Sequence, residues 1–130
     1  MNLRSEIKFC SLSKSEVYHE IYLFSQSGAY VSYLRGTRCK TEDDFFHEIS
    51  ASFQFPYYFG ENWAAMDECL CDLEWLSASK IFVIIDDFSS MFSSQPHIQD
   101  ILQKRVIKYF GIMVETWKAE NIPVTVWLNN

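Results

Sequence analysis

The sequence has no lysine or arginine between Lys40 and Lys80. Nine aspartates and glutamates fall in this cation-free interval, residues 41–79, whereas the rest of the chain has eleven cations against eight acids. The interval therefore carries more than the whole net charge of −6, and a surface with such a field repels nucleic acid and attracts cations. We expect a basic partner and no nucleic-acid partner.

Long apolar runs are also missing. No run approaches the about eighteen residues that a membrane-spanning helix needs, and residues 1–6 lack the apolar segment of a signal peptide. These absences predict a cytoplasmic protein that makes no membrane contact.

Cysteine and histidine are few and scattered. The four cysteines match no zinc-site spacing, and the three histidines show no helical or hairpin pairing. On a helix, the side chains of Cys69 and Cys71 would point about 200° apart. We expect reduced cysteines, with Cys69 buried, and we expect neither a metal nor a cofactor.

Hydrophobic residues make up 48% of the 130 residues and aromatic residues 17%, which predicts a packed core. The clearest break is Gln26-Ser27-Gly28. We therefore expect residues 1–27 to form an N-terminal extension with a strand and a helix, and residues 28–130 to form the main domain. A capping-box pattern that begins at Ser13 predicts the helix of the extension.

The main domain alternates strand and helix patterns. Residues 29–35, 80–86 and 124–128 favour strands, while helical spacing runs through residues 41–53 and 63–73 and onward from Pro96 to Trp117. The strand at residues 80–86 is continuously apolar, which is typical of a parallel strand covered on both faces. The fold class is therefore α/β, with a small parallel sheet flanked by helices.

The helix at residues 63–73 is acidic on one side. Asn62 is a good N-cap for it, and its apolar residues cluster on the core side. The opposite arc has no cation that could relieve repulsion between its acids. This arc consists of Glu61, Ala64, Asp67, Glu68, Cys71, Asp72 and Glu74.

An aromatic turn precedes the acidic helix. Tyr57, Tyr58 and Phe59 stand between a proline and a glycine, in a segment too short to bury all three rings. Exposed tyrosine is common at binding hot spots. Trp75, just past the helix, falls on the acidic arc if the helix continues, or turns back into the core. The alternative hypothesis is that this segment is simply a solvated acidic surface with no binding function.

The stretch Phe55-Pro56-Tyr57-Tyr58-Phe59-Gly60-Glu61-Asn62-Trp63-Ala64-Ala65-Met66-Asp67-Glu68-Cys69-Leu70 resembles the signature of the barstar family of ribonuclease inhibitors. The similarity covers roughly residues 29 to 128. It implies a three-stranded parallel sheet flanked by helices, no enzymatic activity, and a turn and helix that plug the active-site cleft of a ribonuclease.

The resemblance also implies roles for single residues. Tyr58 matches the contacting tyrosine, Asn62 the helix cap and Glu68 the principal phosphate-mimicking acid. The family usually has an aspartate where this chain has Ala64, and Asp67 replaces an aromatic or small polar residue. The expected partner-binding residues are Tyr57, Tyr58, Glu61, Asn62, Ala64, Asp67, Glu68, Cys71, Asp72 and Trp75.

The first functional hypothesis is therefore an immunity protein that blocks a cognate toxin nuclease, with an RNase as the first expectation. A second hypothesis is an acidic docking module for another basic protein. A third, less favoured, is a Mg²⁺-dependent phosphoryl-transfer enzyme built on Asp86 and Asp87, which follow a parallel strand.

Overall fold

The computed structural model describes residues 4–130 and contains one four-stranded, wholly parallel sheet in the order β1-β4-β3-β2. The strands are β1 Glu6–Cys10, β2 Tyr30–Arg35, β3 Ile81–Asp86 and β4 Val124–Asn129. The helices are α1 Lys14–Gln26, α2 Glu42–Phe53, α3 Trp63–Asp72 and α4 Gln99–Ala119, with short 3₁₀ segments at Gly36–Arg38 and Phe88–Ser90. None of these helices is long and apolar enough to cross a bilayer.

Strand β3 lies inside the sheet, and all six of its residues are buried. Alternate side chains enter opposite layers: Ile81, Val83 and Ile85 pack with α2, α3 and α4, whereas Phe82 and Ile84 pack with α1. This arrangement confirms the prediction of a parallel strand covered on both faces.

The expected number of strands was wrong: the sheet has four strands, whereas three were expected. Strand β1 pairs with β4 along its full length, from Glu6 beside Thr125 to Cys10 beside Asn129. Helix α1 covers one sheet face, where Phe24 stacks on Phe82 with ring centroids 3.8 Å apart. Strand β1 thus belongs to the sheet, and α1 packs on it. The domain boundary after residue 27 remains a prediction.

Side-chain caps begin three of the helices. Ser13 and Thr41 each form a complete capping box, and Asn62 caps α3. The caps at Ser13 and Asn62 confirm the predictions from the sequence. Helix α4 begins at Gln99, three residues later than predicted from Pro96. Residues 95–98 instead form a turn closed by a hydrogen bond from the Ile98 amide to the Gln95 carbonyl.

Candidate functional site

Helix α3 is fixed to the core through Trp63. The Trp63 indole donates a hydrogen bond to Glu42 Oε2 at 2.8 Å. Its ring stacks on Tyr109 with centroids 5.9 Å apart, and the Arg105 guanidinium lies 5.4 Å from the ring centroid. Since α2 and α4 both contribute to this anchor, the outer side of α3 is held in a defined orientation.

The turn before α3 is shaped by Glu61, whose φ of 51° lies in the left-handed region. The next residue, Asn62, accepts a hydrogen bond from the Ala65 amide at 2.8 Å and donates one to the Gly60 carbonyl at 3.1 Å. The Glu61 carboxylate lies 2.9 Å from His47 Nε2. Asn62 therefore acts as the N-cap of α3, and the Glu61 carboxylate contacts the His47 side chain of the same chain.

Two tyrosines of the aromatic turn face solvent. Tyr57 is fully exposed, Tyr58 is 61% exposed, and their rings meet edge to face at 5.8 Å. Phe59 turns inward and packs against Phe55 with centroids 4.9 Å apart. The turn thus divides into an anchor, Phe59, and an exposed aromatic pair.

A cleft of about 100 Å³ opens beside Tyr58. We call it the acidic cleft, and it is lined by Tyr58, Phe59, Ala65, Glu68, Cys69 and Asp72. Desolvation and then the nearby Asp72 raise the pKa of the Tyr58 phenol, and desolvation together with Asp72 and Glu68 raises the pKa of the Cys69 thiol. The cleft therefore presents a neutral phenol beside two carboxylates.

Among the described residues, the acids of α3 and the nearby Glu74 lack cationic partners. Within residues 4–130, no lysine or arginine forms an ion pair with Asp67, Glu68, Asp72 or Glu74. Unpaired like charges on neighbouring turns of a helix destabilise it by a few tenths of a kcal/mol per pair. This surface combines exposed aromatic rings with carboxylates that have no ion-pair partner in the described part of the chain.

The predicted acidic arc is divided into two sides. Glu68 and Asp72 line the cleft, whereas Cys71 faces α4, with its Sγ 3.6 Å from Thr116 Oγ1 and 3.7 Å from Asp67 Oδ1. Ala64 is exposed, and helical geometry places it between these two sides. The acidic arc therefore has an uncharged side chain, that of Ala64, between its two sides.

Trp75 turns back towards the core. Its indole donates a hydrogen bond to the Phe53 carbonyl at 2.9 Å, and its ring lies edge-on to Phe55. The side chain is half-buried. Of the two sequence interpretations of Trp75, the structure shows the inward one, so a partner would reach only part of the ring.

Phe59, Ala65 and Cys69 line the acidic cleft but were absent from the expected contact set. For Ala65 the signal was available, since positions 61, 65, 68 and 72 fall on one side of a helix. Phe59 and Cys69 had no such indication in the sequence. Their apolar side chains are expected in the core, and in the structure they also form the base of the cleft.

Asp86 and Asp87, the residues of the enzyme hypothesis, are tied to Lys14 at the start of α1. Asp86 is buried and also accepts hydrogen bonds from Asn129 and Tyr33. Burial opposes its charged form, but the Lys14 and Asn129 hydrogen bonds outweigh this and lower the pKa of Asp86. Because Lys14 and Asn129 occupy the carboxylate oxygens, this geometry favours a structural role over a Mg²⁺ site.

The part of the chain that the structure describes contains no group of three or more His, Cys, Asp or Glu side chains placed to hold a metal ion. A search of curated proteins found no match. A sequence model of the family described as "Barstar (barnase inhibitor)" matches residues 29–129. The chain therefore belongs to the barstar family.

Proposed function

We propose that this member of the barstar family is an immunity protein, which blocks the cationic active-site cleft of a bacterial toxin nuclease in the cytoplasm of its host. One observation supports this most directly: Glu68 and Asp72, which have no cationic partner among residues 4–130, line a cleft beside the exposed Tyr58. The contact surface is α3 with the aromatic turn, and the partner is first of all a ribonuclease.

The chemistry of the partner explains why carboxylates suit this task. A ribonuclease holds phosphate groups with lysine, arginine and histidine, so carboxylates presented at the same positions replace the substrate. Complementary fields also accelerate encounter, for which barnase and barstar are the established example. Inhibition of this kind needs no cofactor and no chemical step.

Ala64 supports a second candidate function on the same surface. The residue is exposed and leaves the centre of the acidic arc without a carboxylate. A partner with a cation opposite this position would bind less well, because specificity is a difference of affinities. The second candidate is therefore docking to a basic protein that is not a nuclease.

The experiment begins by capturing partners from the native host on the immobilised chain. The captured protein is identified by mass spectrometry and assayed for RNA cleavage with and without the chain; barnase serves as a defined ribonuclease in a parallel assay. We expect a captured nuclease that the chain inhibits. A captured basic protein without nuclease activity would support the docking candidate instead.

A charge reversal in the cleft then tests the site. Glu68→Arg should weaken binding to the captured nuclease by more than about 2 kcal/mol, because it places a cation against a cationic cleft. The control is Glu20→Arg, which makes the same charge change on α1, across the sheet from α3. Equal affinity of the Glu68 variant and the parent protein would contradict the site assignment.

A further inference from the structure

Strand β2 lies at one edge of the sheet, and within residues 4–130 only β3 pairs with it. The Tyr30 amide donates to the Lys80 carbonyl at 2.9 Å, so Tyr30 faces β3. In a parallel ladder alternate residues bond to the same neighbour, which directs the backbone groups of Val31, Tyr33 and Arg35 outward. The Arg35 amide accordingly donates away from β3, to Glu48 Oε2 at 2.9 Å.

The outward-facing amides at the two ends of β2 are hydrogen-bonded, whereas those in the middle have no acceptor among the described residues. Before the strand, the Ala29 amide donates to the Phe24 carbonyl, and at its end the Arg35 amide donates to Glu48. Between these points, the amides of Val31 and Tyr33 have no acceptor within residues 4–130. The free edge is therefore a window of two outward-facing residues.

The opposite edge of the sheet is better protected. Strand β1 carries Glu6 and Lys8, and charged side chains discourage pairing between sheet edges. From Tyr30 to Leu34, β2 carries no charged residue. The two edges of the sheet therefore differ in their capacity to accept another strand.

Exposed aromatic side chains flank the β2 window. On α1, Tyr18 is 56% exposed and Tyr22 is 59% exposed, and they lie one helical turn apart. The Tyr18 ring meets Tyr33 edge to face with centroids 6.2 Å apart. A strand added at β2 would extend the sheet beneath this pair and provide apolar surface to cover it.

We propose that two copies of this chain associate through antiparallel pairing of their β2 strands, with Ser32 on the two-fold axis. In this register Val31 lies opposite Tyr33 of the second copy, and each such pair exchanges two backbone hydrogen bonds. The free window is complementary to itself under a two-fold rotation, as an isologous interface requires. Any other register would bring in the Ala29 or Arg35 amides, which are already bonded.

This interface shares no residue with the acidic cleft, so it stands or falls independently of nuclease inhibition. The proposed pairing also predicts which backbone amides gain a hydrogen bond when two copies associate. The amides of Tyr30, Ser32 and Leu34 face β3 and are bonded at any protein concentration, whereas those of Val31 and Tyr33 gain acceptors only in the dimer.

The experiment is amide hydrogen exchange resolved by NMR, at low and high micromolar protein, together with sedimentation equilibrium. We expect the mass to rise from 15.3 kDa towards twice that value with concentration, and the Val31 and Tyr33 amides to become protected in parallel. Ile7 and Phe9 are the internal control. They face outward from β1, since the Cys10 carbonyl accepts from the Asn130 amide, and their exchange should not change.

A pair of proline variants locates the interface. Val31→Pro removes an outward amide that takes no part in pairing with β3, so it should keep the chain monomeric. Ile7→Pro removes the equivalent amide on β1 and should leave the dimer intact. A mass of 15.3 kDa at every concentration with rapid exchange of Val31 and Tyr33 in the parent protein would overturn the proposal, as would a dimer that Val31→Pro preserves.

Discussion

Helices α2 and α3 lie in the same cation-free interval, but they use their acids differently. On α2, Asp44 completes the capping box, and Glu42 accepts a hydrogen bond from the Trp63 indole. Glu48 accepts one hydrogen bond from the Arg35 amide and two from its guanidinium, at 2.8 to 2.9 Å. Three of the four acids of α2 are thus occupied within the fold.

The acids of α3 have no comparable role. Glu68 and Asp72 accept no hydrogen bond from a side chain or amide of the described residues, and Asp67 has only a weak contact with the Cys71 thiol. Charge alone therefore does not identify a binding surface. The informative quantity is the number of carboxylates that the fold leaves unsatisfied, because these remain available to a partner.

Removing an acid from each helix should give opposite results. Glu48→Ala should lower the free energy of unfolding by about 2 kcal/mol, because it removes hydrogen bonds to a charged group and leaves Arg35 unpaired. Glu68→Ala should change stability by less than about 0.5 kcal/mol. Urea unfolding of both variants measures the difference. Equal losses of stability would remove the distinction between the two helices.

The pH dependence of stability should report the ion pair between Glu48 and Arg35. Partial burial opposes the charged form of Glu48, but the hydrogen bonds and charge of Arg35 outweigh it and lower the pKa of Glu48. A carboxyl whose pKa is lower in the folded state stabilises the protein above its unfolded pKa of about 4.3, and this contribution is lost as the pH falls through the folded pKa.

The stability difference between the parent protein and Glu48→Gln should therefore be largest near neutral pH and shrink below about pH 4. Thermal unfolding followed by circular dichroism from pH 7 to about pH 3 measures it. Glu68→Gln, which makes the same substitution at an acid with no ion pair among residues 4–130, is the control measured at neutral pH. A difference for Glu48→Gln that does not depend on pH would contradict the assigned ion pair.

The smallest effect on stability is expected when two α3 acids are neutralised together. Glu68→Gln with Asp72→Asn should leave the free energy of unfolding unchanged or raise it by a few tenths of a kcal/mol, since repulsion along the helix is relieved. The same double variant should bind the captured nuclease more weakly and with a shallower salt dependence. A clear loss of stability would show that these acids support the fold.

The sequence predicted local features of the fold better than its long-range pairing. The apolar run of β3 and the caps at Ser13 and Asn62 depend on residues close in sequence, and each is confirmed. The place of β1 beside β4 could not be predicted in this way. Its charged, five-residue sequence does not indicate which strand it joins.

The same limit applies to the candidate site. Helical spacing placed Glu68 and Asp72 on one side of α3, and the structure brings both to the cleft. The turning of Cys71 towards Thr116 depends on the position of α4, and the inward direction of Trp75 depends on the Phe53 carbonyl. Neither partner is near in sequence, so the spacing within α3 could not reveal them.

The pairing of the first strand with the last sets the order in which the chain can finish folding. During synthesis, β1 has no neighbouring strand among residues 4–130 until β4 has been made, and every other helix and strand lies between the two in the sequence. Contacts this distant in sequence form slowly, because a long loop must first close. The sheet is therefore completed only when β4, its last strand in sequence order, has left the ribosome.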